Sequence, residues 1–82
     1  GTTFFAEVKS TQDKTAFRFS LIKDTQWVAA SKTLAAGGAY FFFVHNLLTD
    51  SWYRIPASYV KITRDAGVQS LPWKELNSMV WN

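Results

Sequence analysis

The feature that most restricts how this chain can fold is the run Ala39-Tyr40-Phe41-Phe42-Phe43-Val44, placed directly after Gly37-Gly38. Its six residues fall far short of the ~20 that a membrane-spanning helix needs. A continuous apolar stretch of this length reads instead as a strand buried on both faces of an α/β sheet. The paired glycines end a preceding helix, because glycine tolerates the left-handed backbone that closes a last helical turn. Upstream, Lys23-Asp24-Thr25 opens that helix with Asp24 or Thr25 as N-cap, and Trp27, Ala30, Leu34 and Ala35 recur at helical spacing. Ahead of it stands Phe4-Phe5-Ala6-Glu7-Val8-Lys9, a strand whose alternation sets Phe4, Ala6 and Val8 on one face. Strand, helix and strand at this spacing have the length of a parallel crossover unit, which is almost always right-handed.

The remaining segments fill out one domain over residues 1–82. Ala16 to Leu21 alternates, with Phe17, Phe19 and Leu21 on one side, and predicts a second strand. Trp52-Tyr53-Arg54-Ile55 predicts a fourth strand ending at Pro56, followed by a helical turn over Ala57 to Val60 and a loop at Asp65-Ala66-Gly67. A last short helix begins at Ser70 to Leu76, with Pro72 in its first turn. The expected fold is α/β (α+β): a mixed sheet of about four strands with one principal helix. A domain this small buries only about 60% of its unfolded surface, and fourteen aromatic residues supply the bulk for its core. The 48% hydrophobic share excludes intrinsic disorder. No cysteine is present, which excludes disulfides and thiolate metal sites and predicts a reducing, cytoplasmic home. The start, Gly1-Thr2-Thr3-Phe4-Phe5, lacks the pattern of a signal peptide and opens almost inside a strand. A net charge of +3 permits a polyanionic partner, and no membrane partner is expected.

Most familiar catalytic arrangements are absent. The single His45 cannot build a histidine metal cluster and reads as a strand-end residue, and no HExxH, CxxC or GxSxG motif occurs. Gly37-Gly38 follows a helix, so it cannot cradle phosphate at a helix start. One constellation remains. Glu7 and Lys9 are two apart on a strand and project to the same side, while Val8 points the other way. A carboxylate is a suitable ligand for a hard cation such as Mg²⁺ or Mn²⁺, and the Val8 carbonyl offers a further oxygen. An ammonium beside it stabilises charge developing on a scissile phosphate. The plainer alternative is a surface ion pair worth at most about 1 kcal/mol. A basic, hydroxyl-rich stretch follows: Ser10, Thr11, Lys14, Thr15, Arg18 and then Lys23, side chains of the kinds that hold a nucleic-acid backbone. Gln26 stands near the helix start, where an amide can turn back toward the strand.

With Phe5-Ala6-Glu7-Val8-Lys9-Ser10, Phe17 to Leu21, Gln26, the strand Tyr40 to Val44 and Trp52-Tyr53-Arg54-Ile55-Pro56, the chain resembles the PD-(D/E)XK nuclease superfamily. Within it, the likeness is to Holliday junction resolvases and related phage or archaeal endonucleases. The resemblance spans roughly residues 4 to 60. It implies a restriction-endonuclease-like core and a Mg²⁺- or Mn²⁺-dependent DNA endonuclease acting on branched DNA. Glu7 would be a metal ligand, Lys9 the catalytic lysine and Gln26 an accessory polar residue. The family also carries an Asp on the strand before its E-x-K strand. Here only Gly1-Thr2-Thr3 precedes, so the expectation is a core truncated at its N-terminus or a half-site completed by a second subunit. A homodimer suits a junction cut symmetrically, with Trp81 or Phe4-Phe5 at the interface. The alternative function is a non-catalytic nucleic-acid-binding or protein-interaction module. Phe17, Phe19 and Phe41 to Phe43 are expected in the core, while Trp27, Trp73 and Trp81 are expected over open edges. Trp52 and Tyr53 with Arg54 make a weaker case for base stacking, since neighbours on a strand face opposite ways.

Overall fold

The structure, a computed structural model, describes residues 4–81. Gly1-Thr2-Thr3, which precede the expected first strand, and Asn82 lie outside them. In chain order the elements are β1 (Phe4–Thr11), β2 (Ala16–Arg18), a 3-10 turn (Phe19–Leu21) and α1 (Asp24–Ala35). They continue with β3 (Ala39–Asn46), β4 (Ser51–Pro56), α2 (Ala57–Asp65), β5 (Ser70–Pro72) and a 3-10 segment (Trp73–Met79). The class is mixed α/β, as expected.

The strands divide between two sheets. One has three strands in the order β1-β3-β4, and the other pairs β2 with β5. β1 runs parallel to β3, from Phe4 opposite Ala39 to Thr11 opposite Asn46, and α1 forms the crossover between them. β4 returns antiparallel to β3, with Ile55 opposite Phe42 and Tyr53 opposite Val44.

The expected second strand is cut short at Arg18. The Phe19 N–H donates to the Gln69 carbonyl at 3.0 Å, and the Ile22 N–H donates back to the Phe19 carbonyl at 2.9 Å. These bonds curl the chain into a turn. Phe17 and Phe19 are buried, while Leu21, expected on their side, is exposed.

α1 begins one residue earlier than its expected caps. Lys23 is the extended N-cap residue, and its N–H donates to Gln26 Oε1 at 3.0 Å. Asp24 and Thr25 therefore lie within the first turn, where the Asp24 charge complements the helix dipole. The exit follows the glycines. Gly37 takes φ +82°, and the N–H groups of Gly37 and Gly38 donate to Leu34 and Thr33 carbonyls at 3.0 and 2.9 Å. A side chain at position 37 would strain this left-handed turn.

β3 has one covered face, not two. Tyr40, Phe42, Val44 and Asn46 are buried, while Phe41, Phe43 and His45 are half-buried. The cause is the arrangement of the layers: buried side chains of both helices, Trp27 and Ala30 of α1 and Ala57 and Val60 of α2, join the core cluster of Tyr40, Phe42 and Val44. Edge-on ring contacts run from Phe17 to Phe19 to Trp27 to Phe42, with centroids 6.2, 6.1 and 6.3 Å apart. That geometry suits the ring quadrupoles. On the opposite face Trp81 packs against Phe43 at 5.1 Å, and Arg54 lies over Phe41 at 5.5 Å.

The C-terminal third departs most from expectation. The helical turn at Ala57 extends to Asp65, with the buried Ala57 and Val60 on its inner side. The last short helix is instead the strand β5 followed by a 3-10 segment. Two tryptophans expected over edges belong to the core: Trp27 and Trp73 are both buried, and Trp73 stacks on Tyr53 at 5.1 Å. Trp73 Nε1 also donates to the Asp13 carbonyl at 2.9 Å, so the indole is both packed and satisfied. Among the described residues no helix is long and apolar enough to cross a membrane.

Candidate active site

Paired residues of neighbouring strands share a face. Glu7 stands opposite the buried Phe42, and Lys9 opposite the buried Val44. The two charged residues thus lie together on the helix-covered side of the sheet, both half-buried. The apolar residues of β1 stay open on both sides: Phe5, on the Glu7 side opposite Tyr40, is 51% exposed, and on the far side Ala6 is exposed and Val8 is 60% exposed. Beyond Phe5, charged residues occupy positions that apolar side chains usually fill on the helix-covered face of a sheet. A buried neighbour registers the carboxylate. The Tyr40 hydroxyl has its pKa pushed above the ordinary value, first by burial and then by the negative charge of Glu7.

Lys9 and Thr11 occupy the C-terminal half of β1, toward the end of the parallel pair where open α/β sheets place their ligands. Val8 lies between the two charges with its side chain on the far face, so only its backbone is available to the Glu7 side. Gln26, expected to border the same site, uses its side-chain oxygen to close the first turn of α1.

The loop that leaves β1 is organised by Asp13. Its Oδ1 accepts the N–H groups of Thr15 at 2.9 Å and Ala16 at 3.0 Å, together with the Thr15 hydroxyl at 3.1 Å. Its Oδ2 accepts Arg18 Nε at 2.6 Å. The Thr15 N–H, the Arg18 guanidinium and the Ala16 N–H hold the Asp13 carboxyl well below the usual carboxylate range. Thr11 Oγ1 accepts the Asp13 N–H at 3.2 Å. Of the residues expected to touch nucleic acid, Lys14 and Arg18 border one cleft of about 620 Å³, together with Thr15, Ser70, Trp73 and Lys74. Thr11 and Lys23 do not line it. Ser70 and Lys74 escaped sequence reasoning because they are some fifty residues or more downstream in numbering. The signal that finds them is the pairing of β2 with β5, which sets Arg18 opposite Ser70.

His45 ends its strand as expected. Its ring stacks on Trp52 at 4.3 Å and 4°, and Nε2 lies 2.8 Å from Asp50 Oδ1. That pairing belongs to the face away from Glu7. Tyr53 is buried on the core side, so Trp52 and Tyr53 form no common stacking platform.

Among the described residues no group of three or more His, Asp or Glu side chains forms a metal cage. Glu7 nevertheless offers a hard oxygen donor of the kind Mg²⁺ takes. That ion is commonly held by one or two carboxylates, with substrate phosphates and waters completing its shell. No family model matches this chain, and no curated protein matches it.

Proposed function

We propose that this chain carries the metal-binding strand of a Mg²⁺-dependent DNA endonuclease of the PD-(D/E)XK type, selective for branched DNA and acting as a homodimer in the cytoplasm. The observation that carries this reading is the inward pair: beyond Phe5, β1 turns two charged residues, Glu7 and Lys9, toward the helix-covered face and leaves both half-buried. A structural strand gains nothing from that orientation, since half-burying charge costs solvation. A cleavage site needs it. Glu7 would hold the cation, with the Val8 carbonyl as a further oxygen. The cation would supply the charge that neutralises a scissile phosphate. Lys9 presents an ammonium to the same point, and Gln26 would act as an accessory polar group once a substrate competes for its amide. A second carboxylate would come from a strand added at the β1 edge or from a second subunit.

The test is cleavage of a four-way DNA junction with and without Mg²⁺. Glu7→Ala should reduce cleavage to background, and Lys9→Ala should lower it by about 10²–10³-fold. Undiminished cleavage by Glu7→Ala ends the proposal. A second reading, a module that binds nucleic acid without cutting it, is favoured because no group of three or more His, Asp or Glu side chains comes together among the described residues. It predicts DNA binding with no cleavage by the wild-type chain.

A further inference from the structure

A cleft lies between the β1–β2 loop and the last segment of the chain. Lys14 enters from the loop, Arg18 from the end of β2, and Lys74 from the start of the 3-10 segment. Thr15 and Ser70 add hydroxyls, and Trp73 forms an apolar wall. No Asp or Glu lines it. The neighbouring acid, Asp13, is already saturated: it faces back into its own loop and takes only the Nε of Arg18. A guanidinium carries five N–H donors, so the Arg18 head keeps capacity for a further oxyanion. Lys14 and Lys74 are exposed and take part in no ion pair among the described residues.

Three cations surround one concavity; Asp13 offsets Arg18, while Lys14 and Lys74 have no ion-pair partner among the described residues. The same arrangement is complementary to closely spaced phosphates. Its position fits as well. The loop that carries Lys14 leaves the C-terminal end of β1, just past the Glu7–Lys9 face, where the ladder ends with Thr11 opposite Asn46. It is held in place by two contacts: Trp73 Nε1 on the Asp13 carbonyl at 2.9 Å, and the Trp73 N–H on the Thr15 carbonyl at 3.1 Å. Lys14 thus stands on a loop fixed to the segment that carries Lys74.

We propose that this cleft seats the phosphodiester backbone of DNA, with Lys14 and Lys74 as its two phosphate-contacting lysines and Arg18 as a third contact. The proposal rests on the nucleic-acid reading above and adds to it a binding surface built from opposite ends of the chain. Lys74 belongs to it although it lies far from the E-x-K segment in sequence. Recognition is through charge, so binding is salt-dependent and nearly indifferent to base sequence.

The experiment is a titration of the full chain with labelled duplex DNA, in EDTA, over a series of salt concentrations. Wild type should give a log–log slope of about −3 to −4. Lys14→Ala/Lys74→Ala should reduce the slope by about 2 and weaken binding about tenfold or more near 50 mM salt. Lys32→Ala/Lys61→Ala removes the same charge from exposed helix positions, and should retain most of the wild-type slope. The proposal is overturned if the cleft variant binds like wild type, if the helix variant loses as much, or if wild type shows no salt-dependent binding. Parallel junction cleavage in Mg²⁺ separates the two ideas. Cleavage that depends on Glu7, with unaltered binding by the cleft variant, removes the cleft and keeps the nuclease. Weakened binding by the cleft variant, with no cleavage by wild type, does the reverse.

Discussion

β1 and β3 are parallel neighbours in register over eight residues, yet they offer the helices opposite chemistry. β3 turns Tyr40, Phe42 and Val44 inward and buries them; β1, at the matching positions, carries Phe5, which stays 51% exposed, and then the half-buried charges Glu7 and Lys9. Register alone accounts for the shared face. The difference lies in what each strand is for. β3 is central and packs against α1 and α2 through Phe42 and its neighbours. β1 is an edge strand of the three-stranded sheet, held chiefly by its hydrogen-bonded ladder to β3, and so is free to place polar groups where a core strand cannot.

That contrast breaks most clearly at Glu7. Glu7→Leu makes β1 resemble β3; under the proposed function it should abolish DNA cleavage while leaving the melting temperature equal or higher, because functional polar residues are held at a cost in stability. A large fall in melting temperature would mean that Glu7 is structural. The matching change in β3, Phe42→Ala, removes a side chain with no exposed surface and should cost about 3–5 kcal/mol. Urea denaturation reads it, and a domain with a thin margin will be largely unfolded. Loss of less than about 1 kcal/mol would show that the β3 face is not the centre of the core.

Smaller effects sharpen the comparison through pH. The folded-state pKa of Asp13 is lowered, so its stabilisation is present above the unfolded value of about 3.9 and is lost as pH falls below it. Asp13→Asn should therefore flatten the loss of stability in acid, with the two melting curves converging at the lowest pH. Added salt should narrow the gap, since the Asp13–Arg18 pair is open to solvent. Tyr40 has the opposite sign. Its pKa is raised, so the contribution is complete below the unfolded value near 10 and is lost as pH rises through the folded one. In an absorbance titration of the tyrosines, Glu7→Gln should bring the highest-titrating one down. No change would mean that Glu7 does not face Tyr40. The smallest effect belongs to the outward face: Val8→Ser should alter stability by no more than about 0.5 kcal/mol.

Much of the parallel unit was legible because its signals are local. The Gly37-Gly38 stop, the spacing of Trp27 and Ala30, and the apolar run at Tyr40 each act within a few residues. Alternation gave the two sides of β1 but not which side meets the helices, since that depends on the register with Phe42 and Val44. Ala16 to Leu21 misled because Phe17 and Phe19 are both buried, one from a strand and the other from a turn pulled round by Gln69. The tryptophans misled for a related reason. Trp73 looks like a cover in sequence, and only the distant Asp13 carbonyl and Tyr53 ring make it a core residue. The Glu7–Lys9 pair was readable from spacing, whereas Lys74 becomes visible only when β5 is laid against β2.

The hydrogen bond from Trp73 to Asp13 joins groups 60 residues apart in the chain, and this has a consequence for the order of folding. β1 cannot form its ladder until β3 is made, and β2 must wait for β5. The closure of such long loops precedes the contacts that reward it, so the search is slow compared with that of a helical bundle. Until it is complete, Phe5 and Val8 stand on an unpaired strand, and the charges that interrupt them, Glu7 and Lys9, discourage that strand from pairing with a neighbouring molecule. The same two residues that suit the strand to chemistry also protect it while the chain is still incomplete.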